Sequence, residues 1–134
     1  MGYIVGAAIA LGVAAFAALS GFDRDRAFWP TVLIVTASYY VLFAALAAAN
    51  SALAPEILSL ALFAALAVIG FRTSLWVVAA GLAAHAVFDL LRGGLIANPG
   101  VPVWWPDFCI GFDVAAAACV AWLLMRRGVA TPRR

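Results

Sequence analysis

The sequence predicts an all-α integral membrane protein, a bundle of five transmembrane helices that forms a single domain over residues 1–134. Of the 134 residues, 68% are hydrophobic and only 10% are charged, whereas a soluble domain averages about 25% charged residues. Apolar runs of about 20 residues, long enough for an α-helix to cross the hydrocarbon core, recur along the chain. Because backbone polar groups find no water in lipid, these runs must be helices, and their pattern does not alternate as in a β-barrel.

The breaks between the apolar runs place the five spans at roughly 3–21, 31–49, 54–71, 74–91 and 106–125. The first span has no basic segment before it and is long for a signal-peptide core, which predicts a retained anchor. Pro30 fits the first turn of the second span, and Asn50 and Ser51 are expected to close it. Pro55 and Glu56 are expected to open the third span, where the helix dipole favours a carboxylate.

Small residues recur every four positions along the first span: Gly2, Gly6, Ala10, Ala14 and Ala18. Such a stripe lets another helix approach closely, so it is a candidate contact with a second copy of the chain or with another membrane protein. The predicted surroundings are the lipid bilayer, and no basic nucleic-acid patch is present. Cys109 and Cys119, ten residues apart on the fifth span, are too far apart to bond and are expected to serve packing.

The arginines predict the orientation of the bundle. Five spans put Arg92 alone on one side, and the other side holds Arg24, Arg26, Arg72, Arg126, Arg127, Arg133 and Arg134. Arginine-rich connections stay in the cytoplasm. We therefore expect an N-terminus outside, a cytoplasmic C-terminus and an external loop between the fourth and fifth spans.

Most of the polar chemistry falls between His85 and Asp113, in HAVFDLLRGGLIANPGVPVWWPDFCIGFD. His85 and Asp113 each lie seven residues below the outer end of their span, at the same depth of about 10 Å. A carboxylate at this depth must be paired or protonated, and His85 is the expected partner. Asp89, one helical turn from His85, is expected to orient the imidazole, and Glu56 and Arg92 are expected to pair at the mouth.

Three hypotheses account for this outward-facing polar pocket. In the first, the pocket binds a small or lipid-soluble molecule, with His85 as the general base, Asp89 as its orienter and Asp113 as the acid partner. In the second, His85, Asp89, Asp113 and Glu56 hold a divalent metal ion, an oxygen-rich ligand set. In the third, the polar pairs only fix helix packing in a structural or accessory subunit. The candidate ligand-binding residues are Glu56, Arg92, Tyr39, Tyr40, Asn50, Trp104 and Trp105.

The block from His85 to Asp113 covers about a fifth of the chain and resembles one found in a family of uncharacterised small bacterial multi-pass membrane proteins. The resemblance implies membership and a location in the bacterial inner membrane, and it implies no activity. The His85-x-x-x-Asp89 pattern is also similar to that of intramembrane metal hydrolases of the ceramidase type. Those enzymes carry further histidines, whereas His85 is the single histidine of this chain.

Overall fold

The computed structural model describes residues 1–127, which form five α-helices and one short 3₁₀ turn, Phe22–Arg24. The helices are α1 (Gly2–Ser20), α2 (Phe28–Leu46), α3 (Asn50–Arg72), α4 (Leu75–Arg92) and α5 (Trp105–Arg127). All five are long and apolar enough to cross a membrane, and residues 1–127 contain no strand. The predicted all-α fold with five spans is confirmed for this part of the chain, and it fits a polytopic membrane protein. Arg133 and Arg134 lie outside the described residues.

The connection between α2 and α3 differs from the sequence interpretation. α2 already ends at Leu46, and Asn50 and Ser51 open α3 instead of closing α2. The chain turns at Ala48, whose φ of 51° lies in the left-handed region, where a residue with a side chain is uncommon. Pro55 therefore lies inside α3. The sequence interpretation placed the start of this helix at Pro55 because prolines are common near helix starts. A proline is tolerated within the first turns, however, so it does not identify the first residue of the helix.

The helix ends separate into two groups. Arg26 donates to backbone carbonyls at the C-terminal end of α3, and Arg127 at the end of α5 lies 2.8 Å from Asp23. We call this the basic end of the bundle; it also carries Arg24, Arg72 and Arg126. Arg92 lies at the opposite end, the polar end, where α1, α3 and α5 begin and α2 and α4 finish. The predicted separation of the arginines is therefore present among residues 1–127.

α1 packs along α5, and two glycines allow the backbones to touch. A Cβ on Gly6 would lie 2.0 Å from the carbonyl oxygen of Phe108, and a Cβ on Gly111 would lie 2.1 Å from that of Tyr3. Gly6 and Ala10 are buried by this packing. The close approach predicted from the small-residue stripe is thus made within the chain. Because α5 covers these two residues, they do not offer the contact with a second protein that the sequence interpretation assigned to them.

Gly6→Ala should lower the melting temperature of the protein in detergent, because its methyl group meets the backbone of α5. Overpacking of this kind typically costs about 1–3 kcal/mol. Gly12→Ala is the matched control, since a Cβ there meets nothing within 4 Å and alanine is the better helix former by about 1 kcal/mol. Equal melting temperatures for the two variants would contradict the described contact between α1 and α5.

Candidate functional site

Five acidic, arginine or histidine side chains from three helices are buried together inside the bundle. The exposed fractions are 1% for His85 and Glu56, 4% for Asp89 and Arg92, and 0% for Asp113. α3 supplies Glu56, α5 supplies Asp113, and α4 supplies the other three. The sequence predicted that these residues meet. It also predicted that they line an outward-facing pocket, and this is corrected by the structure, in which they are enclosed by the packed helices.

His85 forms the centre of the first group. Its Nδ1 lies 2.6 Å from Oδ2 of Asp113 and 3.5 Å from Oδ2 of Asp89. His85 and Asp89 share one face of α4 because residues four apart are neighbours on a helix, and α5 brings Asp113 to the same nitrogen. The nearer carboxyl belongs to Asp113, so Asp113 takes the orienting position that the sequence interpretation gave to Asp89. We call His85, Asp89 and Asp113 the histidine cluster.

Aromatic rings enclose the imidazole. The ring centroids of Phe63, Phe88 and Tyr40 lie 4.7 Å, 5.9 Å and 6.2 Å from that of His85. Sequence reasoning missed Phe63 and Phe88, since an apolar residue on a span carries no signal that separates a site wall from ordinary core. The Tyr40 hydroxyl is close to the carboxyl of Asp89, although its geometry does not make an ordinary hydrogen bond. The cluster is therefore enclosed by aromatic side chains.

Most of the side-chain polar atoms of the histidine cluster have no hydrogen-bond partner. Among residues 1–127, the buried polar atoms without a hydrogen-bond partner include Nε2 of His85, both carboxyl oxygens of Asp89 and Oδ1 of Asp113. More than 90% of buried polar groups in proteins have such a partner, and an exception calls for an explanation such as a bound ion or water. The charges also indicate room for a cation: with Asp89 and Asp113 both ionised, a protonated His85 would neutralise only one of the two carboxylates. The cluster can therefore take up further positive charge.

The second group consists of Glu56, Arg92 and Asn98, which we call the arginine cluster. Arg92 donates to Oε1 of Glu56, as the sequence predicted, and its guanidinium carbon lies 3.9 Å from the ring centroid of Tyr40. Asn98 donates to the same Oε1 at 3.0 Å and to the backbone carbonyl of Tyr40 at 3.1 Å. Asn98 was missed because its place before a proline indicated only a turn. The predicted ligand-binding residue Asn50 is exposed and does not join either cluster.

The ligand atoms that could hold a metal ion come from the histidine cluster alone. His85, Asp89 and Asp113 offer atoms that lie within 4.8 Å of one another, and among the described residues no other group of three such side chains does so. Glu56, the fourth predicted ligand, is instead bound by Arg92 and Asn98. The predicted set of four is corrected to three.

An apolar groove of about 630 Å³ lies between α1 and α2 and has α5 as its floor. Its walls include the exposed apolar residues Ile9 and Val35, so it opens on the surface that faces lipid in a membrane protein. Thr36 and Cys109 line the groove and also approach the clusters: the Thr36 hydroxyl is close to Asp113, and the Cys109 thiol is close to the Tyr40 hydroxyl. A single layer of side chains thus separates the groove from the buried carboxyls.

The two predicted tryptophans have different positions. Trp104 is 58% exposed at the polar end, as expected of an interfacial anchor. Trp105 packs its ring 4.9 Å from Tyr39 and 5.0 Å from Phe43. Trp104, Trp105 and Tyr39 all line the groove, whereas Tyr40 belongs to the buried clusters. Apart from the exposed Asn50, the predicted ligand-binding residues are therefore divided between the groove and the buried clusters.

No family model, no curated protein and no solved structure matches this chain. What the site does is therefore inferred from its geometry and chemistry.

Arg92→Met should destabilise the protein strongly, because it leaves Glu56 buried and unpaired; breaking a buried ion pair costs about 3–5 kcal/mol. Arg127→Met is the matched control. It removes the same type of side chain from an ion pair with the buried Asp23 in which the arginine is 43% exposed; because water reaches the arginine, a smaller loss is expected. Unfolding of both variants in detergent micelles would measure the difference, and equal losses would contradict the buried pairing.

Proposed function

We propose that the protein is a polytopic membrane protein of the bacterial inner membrane that binds a small, lipid-soluble molecule and performs acid/base or metal-assisted chemistry on it at His85, Asp89 and Asp113. Its membership of the small bacterial multi-pass family that the block from His85 to Asp113 resembles is part of this proposal. The observation that carries it is the position of the histidine cluster. The cluster has unpartnered buried atoms, and it lies beside a lateral apolar groove.

The bound molecule enters the groove from the bilayer. Its apolar part lies between α1 and α2, against walls that are apolar and aromatic apart from a few polar groups. Its reactive group reaches Thr36 and Cys109 at the floor, beyond which the carboxyls of Asp113 and Asp89 lie. Membrane-soluble molecules suit this route because no part of the path needs to be open to water.

Within the site, the groups divide the work. Asp113 holds Nδ1 of His85 at 2.6 Å, which fixes the ring and leaves Nε2 as the free nitrogen, as in the histidine–carboxylate pairs of hydrolases. Asp89 is the second group that can bind a proton or an ion, because both of its oxygens lack a hydrogen-bond partner. The arginine cluster also has unpartnered atoms, Oε2 of Glu56 and Nε of Arg92, but its two charges compensate each other, whereas the histidine cluster sets two carboxyls against one imidazole.

A second candidate function is that of a structural or accessory subunit. The observation that favours it is the arginine cluster, in which Glu56 on α3, Arg92 on α4, the loop residue Asn98 and the backbone of α2 are joined by hydrogen bonds. Such contacts fix helix register without any chemistry. The histidine cluster is the part that this second function leaves unexplained.

The proposed orientation places the polar end outside the cell and the basic end in the cytoplasm, because arginine-rich connections remain on the cytoplasmic side. Reporter fusions at Arg72 and at the C-terminus should score cytoplasmic, and a fusion at Gly100 should score external. A cytoplasmic Gly100 would invert the orientation and place the clusters near the inner surface of the membrane.

The double variant His85→Leu/Asp113→Leu separates chemistry from packing. If the pair serves chemistry, this variant should keep most of the wild-type stability, because neither member of the pair is left without the other and the remaining carboxyl of Asp89 can be protonated, and it should fail to complement a deletion strain. Asp23→Leu/Arg127→Leu is the matched control, since it removes an ion pair of 2.8 Å at the basic end and should complement normally. Thermal stability in detergent is measured beside complementation. A stable and fully active His85→Leu/Asp113→Leu variant would identify the protein as a scaffold.

A further inference from the structure

We infer that the histidine cluster is a binding site for one divalent transition-metal ion, with His85, Asp89 and Asp113 as its protein ligands. This inference rests on the proposed function, because it names the reactive group of the same site. The arginine cluster takes no part in ligation.

The ligand geometry is the first support. The three side chains offer ligand atoms within 4.8 Å of one another. Ligands at about 2.0–2.2 Å from a transition-metal ion lie at most roughly 4.4 Å apart, opposite each other. Small rotations of these side chains are therefore sufficient, and two of them are one turn apart on the same helix. His85 and Asp113 hydrogen-bond to each other, and coordination of one ion by both side chains would replace this bond.

The charge balance is the second support. Arg92 and Glu56 neutralise each other, which leaves two carboxylates in the histidine cluster beside an imidazole. With Asp89 and Asp113 ionised and His85 neutral, the cluster carries two negative charges, and one divalent cation balances them. A monovalent cation would leave one carboxylate uncompensated in a low-dielectric interior, which is costly.

The unpartnered atoms are the third support, and they are independent of the charge count. Asp89 Oδ1 and Oδ2 and Asp113 Oδ1 are all buried without a hydrogen-bond partner, on side chains that are at least 96% buried. An imidazole with two carboxylates suits Zn²⁺, Fe²⁺ or Mn²⁺, whereas Mg²⁺ retains several waters for which this aromatic enclosure is poorly suited. Three protein ligands also leave a position open, as in catalytic metal sites.

The test uses the full chain, purified in mild detergent with a tag that contains no histidine. After growth with added zinc, iron and manganese salts, elemental analysis should find about one ion per chain. Chelation should remove it, and titration with Zn²⁺, Mn²⁺ or, without oxygen, Fe²⁺ should restore it and raise the melting temperature. Asp89→Asn and Asp113→Asn should each weaken binding at least tenfold. Asp23→Asn, the same change at the basic end, should bind like the wild type.

Wild-type protein that carries no stoichiometric ion and takes up none of the three on titration would overturn the inference. Uptake that is equal in the wild type, Asp89→Asn and Asp113→Asn would overturn it too, because the ion would then be bound elsewhere. Since wild-type titration needs no variant to fold, the result does not depend on the stability of the asparagine variants. Failure of metal binding together with loss of complementation by His85→Leu/Asp113→Leu would remove the metal and retain the proposed acid/base function.

Discussion

A charge placed inside a bilayer must be compensated by the protein itself, and the centre of this bundle is arranged around that constraint. The contact between His85 and Asp113 joins α4 to α5, and the ion pair of Arg92 and Glu56 joins α4 to α3. α4 therefore carries partners for both of its neighbours, and a shift of either helix by one turn would separate a buried charge from its partner. Apolar packing in lipid tolerates many registers, so the polar contacts are what select this one.

α1 has no part in this polar network and is held differently. Its glycines bring its backbone against α5, while α2 packs with α3 and contacts α5 only slightly. The gap that remains between α1 and α2 is the apolar groove, and its floor is the helix that carries Asp113. The close α1–α5 packing thus has a consequence at the site, because it leaves one side of α5 open to lipid at the level of the carboxyls.

The sequence located correctly those residues whose contacts follow from their depth along the span alone. His85 and Asp113 were expected to meet because counting from the helix ends places both at one level, and Arg92 and Glu56 were expected to pair for the same reason. Asn50 lies outside both clusters, and Asn98 was missed because its position depends on how the loop after α4 folds back. Gly100 allows that fold: a Cβ there would lie 2.1 Å from the carbonyl oxygen of Phe43. A stripe of small residues likewise predicts that another helix packs closely against α1, but it does not identify that helix. The contact of Gly6 with α5 is therefore known only from the structure.

The two clusters show how similar residues acquire different roles. In the arginine cluster the charges cancel, and Oε1 of Glu56 accepts hydrogen bonds from both Arg92 and Asn98, so the group resembles a structural clamp. Both clusters contain buried polar atoms without a hydrogen-bond partner, but in the histidine cluster one imidazole faces two carboxyls. Stability alone would favour an apolar replacement for such a group. The arginine cluster thus joins α3, α4 and the backbone of α2 with compensated charges, whereas the histidine cluster beside it has more carboxyls than cationic partners.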